Sequence, residues 1–270
     1  MRAEFMHFTM AEYSIENALI DTPFDIVLLS DLHGNVYGEE QKELVKLIGY
    51  IRPALILCPG DFISRSDPAS QDTAYDFLCR LERLAPTFFI NGNHEQKLAE
   101  DQGYDNASSY ESRLKKAPFH FLKNSREILT VGENDLDIAG YEMFLSRYKK
   151  LRENQMTLSE MEKKLGQASK DHFQILLAHD PTFIDHYFEW GASLVVCGHY
   201  HGGIMRLYGN QVLVSPTGKP LPKYGYGLYE KDGRYAVVTS GLGDHRYAVR
   251  IANPKELVLI HVRKKSGYHS

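Results

Sequence analysis

Short unbroken apolar runs alternate along the chain with longer segments whose apolar positions recur every three or four residues. Residues 24–30 (FDIVLLS), 54–58 (ALILC) and 87–90 (TFFI) are of the first kind, the pattern of strands covered on both faces. Between them, residues 39–51 set Leu44, Leu47, Ile48 and Ile51 at helical spacing, and residues 73–84 do the same with Phe77, Leu78 and Leu81. This β-α-β-α-β order predicts an α/β fold with parallel strands and right-handed crossovers. The middle is less regular. The pattern there predicts a helix over 107–116, a strand pair over 127–131 and 135–139, and a charged helical stretch over 145–169 with Leu158, Met161 and Leu165 as its sparse stripe. Strand signals return with FQILLA from residue 173, then SLVVC, then at 203–208, 211–214, 235–239 and 257–262. No repeat or linker breaks the series, so one domain over 1–270 is expected, with a core from about 24 to 262 and short tails.

Composition narrows the function classes. With 270 residues, 43% of them hydrophobic, the chain can bury a substantial core. A net charge of −4 gives no general pull toward nucleic acid, so a phosphate-bearing partner needs a local positive source such as metal ions. Three scattered cysteines (Cys58, Cys79, Cys197) are too few for a disulfide framework and read as free thiols in a reducing compartment. No apolar stretch approaches the roughly 20 residues that span a bilayer, and the first 20 residues lack a signal-peptide core. The expected location is cytoplasmic for the sequence as given. A chain beginning downstream of a removed anchor would read the same way, so membrane association stays open.

The informative feature is where His, Asp and Asn fall. Asp31 and His33 follow the first strand, Asp61 the second, and Asn93 and His94 the third. His179 follows FQILLA, and His199 and His201 follow SLVVC. Each motif alone is weak, since a D-x-H tripeptide or a lone strand-end His is common. Five strands ending in metal-type ligands at one structural phase are another matter, because the carboxyl ends of parallel strands line the ligand crevice of an open α/β sheet. Residues i and i+2 of an extended segment project to one side, so Asp31/His33 and His199/His201 can each offer two ligands to one cavity. Mixed nitrogen and oxygen donors without thiolate suit Mn, Fe or Zn rather than a calcium cage or a structural zinc site.

Taken in order, Asp31-Leu32-His33-Gly34, Gly60-Asp61, Gly92-Asn93-His94-Glu95, His179 and Gly198-His199-Tyr200-His201 resemble the signature of the calcineurin-like metallophosphoesterases. The stretch TSGLGDHRYAVRIANPKELVLI is similar to a bacterial branch that includes UDP-diacylglucosamine-type hydrolases. The resemblance implies a β-sheet sandwich, largely parallel or mixed, flanked by helices. It also implies one ion on Asp31, His33, Asp61 and His201, and a second on Asp61, Asn93, His179 and His199, with Asp61 shared. Two departures stand out: Ser64 replaces an acid that many relatives use to orient the neighbouring His, and Pro59 replaces a more usual Thr.

Two divalent ions bring four positive charges against the two carboxylates of Asp31 and Asp61. The remainder suits a phosphate ester, and hydroxide generated between the ions is expected to attack phosphorus directly. His94, beside a ligand but not needed as one, is assigned to protonating the leaving oxygen or stabilising the transition state. Glu95 reads as a contact at a helix N-terminus, Arg65 as a phosphate contact or a solvated surface group, and Tyr200 and His245 as candidates for the pocket edge. The expected partner is a phosphate-ester small molecule or a lipid-linked or nucleotide substrate, cleaved as a monoester or diester. The rival class is a non-catalytic scaffold of the same fold, which the full set of seven ligands disfavours.

Overall fold

The computed structural model describes residues 4–5, 8–103, 106–148, 156–203, 205–206, 211–215, 220–244 and 250–265. The first sheet has seven strands: β1 (Glu4–Phe5), β2 (Phe8–Asn17), β15 (Glu256–Lys264), β3 (Phe24–Leu28), β4 (Leu55–Cys58), β5 (Thr87–Phe89) and β6 (His120–Phe121), in that spatial order. The second has six: β13 (Gly227–Lys231), β14 (Arg234–Val238), β10 (Leu194–Cys197), β9 (Phe173–Ala178), β8 (Asn134–Tyr141) and β7 (Ser125–Val131). A small ribbon pairs β11 (Met205–Arg206) with β12 (Val212–Val214).

Both sheets are mixed, and the parallel parts carry the site. β3, β4, β5 and β6 run parallel, as do β8, β9, β10 and β14. Helices α1 (Lys42–Ile51) and α2 (Ser70–Glu82) make the β3–β4 and β4–β5 crossovers, as the apolar spacing predicts.

Side-chain alternation explains why the strands are apolar throughout. Ile26 and Leu28 of β3 pack inward with Ile138, Ile175, Leu177, Val196 and Val237 of the other sheet. Val27 and Leu29 turn outward onto Leu44, Ile48, Phe77 and Leu78. On the far side, Leu176, Ala178 and Val195 pack beneath Met161 and Leu165 of α5 (Leu158–Leu165) and Ile184, Tyr187 and Phe188 of α6 (Ile184–Trp190). Two sheets face to face with helices outside both is the helix-flanked sandwich expected.

Several elements depart from the sequence reading, among them β6 and β13, which it did not expect. Residues 8–17, read as part of a tail, form β2, which pairs with β15 over nine residues. The 145–169 stretch is not one helix. It holds a 3-10 turn at Leu145–Tyr148 and α5, with residues 149–155 outside the described part. The expected helix over 107–116 shortens to α4 (Tyr110–Leu114), capped by Ser109.

Candidate metal centre

Strand ends from both sheets deliver the candidate ligands to one place. β3 leads to Asp31 and His33, β4 to Asp61, β5 to Asn93 and His94, β9 to His179, and β10 to His199 and His201. The loops extend the sheet pattern past the strands: Asp31 N–H donates to Gly60 O at 3.1 Å, His33 N–H to Asp61 O at 3.1 Å, and Gly198 N–H to His179 O at 3.1 Å.

Asp31, His33 and His201 each offer a ligand atom within 4.8 Å of one another, as do Asp61, His179 and His199, and also His33, Asp61 and His94. The groups interlock. His33 Nε2 lies 3.1 Å from His201 Nε2 and 3.8 Å from Asp61 Oδ2, and His179 Nε2 lies 3.2 Å from that same oxygen. Six of the seven sequence-derived candidates and His94 therefore sit at one centre, and the seventh, Asn93, precedes His94 at the first turn of α3 (Asn93–Gln102).

The convergence of Asp31 with His33, and of His199 with His201, does not come from an extended chain. Their φ angles are 53° and 49° in the first pair and 65° and 48° in the second, and Asp61 has φ 57°. Each is a non-glycine residue in the left-handed region, where strain of about 1–3 kcal/mol persists only when surroundings over-determine it. Tight turns, not strand pleating, bring these side chains together.

Several groups over-determine it. Asp31 accepts from His199 N–H at 3.0 Å, and Asp61 Oδ1 accepts from His94 N–H at 2.8 Å, so the N-terminus of α3 points at that carboxylate. His179 donates Nδ1–H to Pro59 O at 2.7 Å, which turns Nε2 inward. Glu95, buried at the first turn of α3, accepts four backbone N–H groups: Asp61 and Gly92 on Oε2 (both 2.9 Å), Phe62 and Ile63 on Oε1 (2.8 and 3.2 Å). The helix N-terminal contact expected of Glu95 is present, and it reaches further, tying two ligand loops together. Gly198 is required for close approach, since a Cβ there would meet the Ser30 side chain and the Asp31 carboxylate.

Charge and burial perturb the whole set. Burial, reinforced by the Asp61 charge, raises Asp31 to about 6, while the surrounding histidines hold Asp61 well below the usual carboxylate range despite its burial. Burial opposes protonation of His179, but Asp61 and Asp31 outweigh it and lift the ring to about 10. His199, mainly through burial, falls to about 4, and burial also lowers His94. Burial and Asp61 push Glu95 up to about 8, whereas its four N–H donors favour the carboxylate.

The donor set fits a cation. Asn93 Oδ1 and His199 Nε2 are buried without a hydrogen-bond partner, and His179 Nε2 is buried with the Asp61 carboxylate beside it, at 3.2 Å. Left so, each unpartnered atom costs about 1–3 kcal/mol, a penalty that coordination removes.

The neighbouring candidates divide. His94 Nδ1 is buried without a hydrogen-bond partner, and Ser64 Oγ bonds Ser66 Oγ instead, so Ser64 does not orient this ring. Its place is set by its own backbone N–H and by edge contact with His33, centroids 4.6 Å apart. Tyr200 is buried with its hydroxyl on Thr182 Oγ1 at 2.7 Å, in the turn that precedes α6. Arg65 is half exposed and ion-paired with Asp101 at 2.6 Å. His245 lies outside the described residues. Tyr148 is the neighbour that sequence reasoning missed: its ring lies 5.1 Å from that of His199 and 6.1 Å from that of His179. It also lines a cavity of about 240 Å³ with Arg65, Lys97, Glu100, Asp101 and Leu145. No motif marks it, because it sits in a stretch that read only as charged helix.

Comparison with known proteins places this geometry. Residues 24–203 match the family model described as calcineurin-like phosphoesterase. An uncharacterized metallophosphoesterase of Bacillus subtilis, YkuE, is 27% identical over 257 residues, covering 92% of this chain and 83% of the relative. Phosphodiesterase YaeI of Escherichia coli is 24% identical over 88% of this chain and 82% of its own, and UDP-2,3-diacylglucosamine pyrophosphatase LpxG of Chlamydia trachomatis is 23% identical over 87% and 82%. Among solved structures, TT1561 of Thermus thermophilus superposes with a TM-score of 0.50 at 13% identity, covering 83% of this chain and 92% of its own. The chain belongs to the calcineurin-like phosphoesterase family and is a metal-dependent phosphoric ester hydrolase.

Proposed function

We propose that this centre holds two divalent ions and hydrolyses phosphodiesters, pyrophosphate bonds included. Asp31, His33, His201 and Asp61 would hold one ion, and Asp61, Asn93, His179 and His199 the other. The observation that carries the reading is the convergence of Asp31, His33 and His201 with Asp61, His179 and His199 in groups that share a few ångströms, together with the buried and unpartnered Asn93 Oδ1 and His199 Nε2. When bound, such a pair neutralises phosphate charge and lowers the pKa of a water from 15.7 toward about 7. The ion identity that suits these donors is Mn, Fe or Zn.

The chain's own residues supply the rest. Asp61, fixed by α3 and by Glu95, joins the two ligand groups. His94 stands beside them as the non-ligand group at the leaving oxygen, held by its backbone N–H on Asp61 Oδ1. The cavity bounded by Tyr148, Leu145, Lys97 and Arg65 adjoins His199 and would receive one substituent of the ester. The names of two relatives, a phosphodiesterase and a UDP-diacylglucosamine pyrophosphatase, support a diester with a nucleotide or lipid-linked sugar. Among the described residues no helix is long and apolar enough to cross a membrane.

The test is turnover of bis(p-nitrophenyl) phosphate and p-nitrophenyl phosphate by metal-loaded protein, beside the Asp61→Asn variant. The reading expects diester cleavage in the wild type and its loss in the variant. Wild-type activity retained by Asp61→Asn would refute the assignment.

A further inference from the structure

The matched family region ends at residue 203, yet the chain's C-terminal segment reaches back into the metal centre. Asn253, buried, donates its amide to the carbonyl oxygens of His201 and Gly203, both at 2.6 Å. Arg250 donates Nη1 to the same His201 oxygen at 3.3 Å, while its Nη2 bonds the Ser240 carbonyl at 2.9 Å and the Gly243 carbonyl. His201 Nε2 lies 3.1 Å from His33 Nε2 and 3.6 Å from Asp31 Oδ1. The segment is itself pinned: Ser240 Oγ donates to Pro254 O at 2.8 Å, and Glu256 N–H to Gly241 O at 3.0 Å.

We infer that Arg250 and Asn253 are positioning residues that lock the His201 turn in its left-handed conformation and so hold one ion of the pair, the one on Asp31, His33 and His201. This inference rests on the two-ion reading above. The need for a lock follows from the backbone: His201 has φ 48°, and a non-glycine residue stays there only if its neighbours forbid relaxation. Two donor groups from one segment, the Asn253 amide and Arg250 Nη1, make three hydrogen bonds to the turn's carbonyl oxygens. There is no space to tighten further, because a Cβ on Gly202 would already meet Asn253 Oδ1 and the Ser240 side chain. His179 and His199 receive no bond from this segment among the described residues, so the effect is confined to one ligand group.

Calorimetric titration of chelated protein with Mn²⁺ separates the ions. Asn253→Ala and Arg250→Gln should each weaken one of two binding steps by about 10–100-fold, the usual effect of losing a group that orients a ligand, and leave the other unchanged. A merely structural role would lower the melting temperature with both steps intact, or lose both together, and either result overturns the inference. Arg250→Gln leaves the Asn253 amide in place, so it carries the test alone should Asn253→Ala not fold. A wild-type protein that takes up no Mn²⁺ refutes the metal reading and this inference with it, whereas two normal steps in wild type and both variants refute the clamp alone.

Discussion

Replacing Glu95 by Gln turns one acceptor oxygen into a donor with almost no change of volume, and the structure fixes what that should cost. Each carboxylate oxygen accepts two backbone N–H groups, Phe62 and Ile63 on one and Asp61 and Gly92 on the other. A glutamine oxygen can keep one pair, but its amide nitrogen would meet the other pair as donor against donor. Two buried N–H groups would lose their acceptor, at about 1–3 kcal/mol each, so about 2–6 kcal/mol in all. That is a large part of the roughly 5–15 kcal/mol that holds a domain folded. Urea unfolding of chelated wild-type and Glu95→Gln proteins at about pH 9, above the value of about 8 to which burial and Asp61 push this carboxyl, would show the midpoint fall at unchanged slope. The Asp61 and Gly92 loops meet at Glu95, so weakened metal uptake should accompany the loss. A change below about 1 kcal/mol would refute the reasoning. It would mean that burial and Asp61 keep this carboxyl protonated even there, and hence already amide-like.

Three further outcomes follow from the same geometry. His94→Gln should lower kcat for a diester by about 10²–10⁴-fold while metal content stays unchanged, which rate and metal assays on one sample would check. Gly198→Ala drives a methyl group into Ser30 and Asp31, so thermal melting should show about 1–3 kcal/mol of destabilisation together with lost metal uptake. Metal binding should release a proton. His179, raised to about 10 by Asp61 and Asp31 against its burial, is protonated in chelated protein at neutral pH, and an ion takes only the neutral ring. Affinity should therefore rise by up to about tenfold per pH unit from pH 7 toward 10 and level off above it, measured by titration in buffers of different ionisation enthalpy.

The strands that build the site were legible because their side chains are buried on both faces, leaving unbroken apolar runs such as 24–30 and 173–178 ending at polar ligands. The convergence of candidate residues was legible for the same reason: Asp61 or His179 is conspicuous at the end of such a run. β2 was not, since its burial alternates along FTMAEYSIEN and its acids face solvent, which blurs any continuous signal. The local geometry was read wrongly in one respect. Alternation in an extended segment seemed to pair Asp31 with His33, but φ angles near 50° do so, and a tripeptide sequence carries no mark of that strain. Tyr148, Arg250 and Asn253 escaped notice because their roles depend on chain segments far apart in sequence: Asn253 meets His201 across 52 residues. Glu95 was half legible. Its position in the first turn pointed to the Gly92 N–H, while its hold on residues 61–63 arises only once β4 and β5 are neighbours.

The most direct test of the central claim is a metal titration of chelated protein followed through diester hydrolysis and bound-metal analysis on the same samples. Activity should be absent at the start, rise with Mn²⁺, and saturate with about two ions per chain, as expected of a paired clamp on phosphate. His199→Ala should bind about one fewer and stay inactive. Turnover by the chelated protein, or saturation with no ion bound at these residues, would contradict the account.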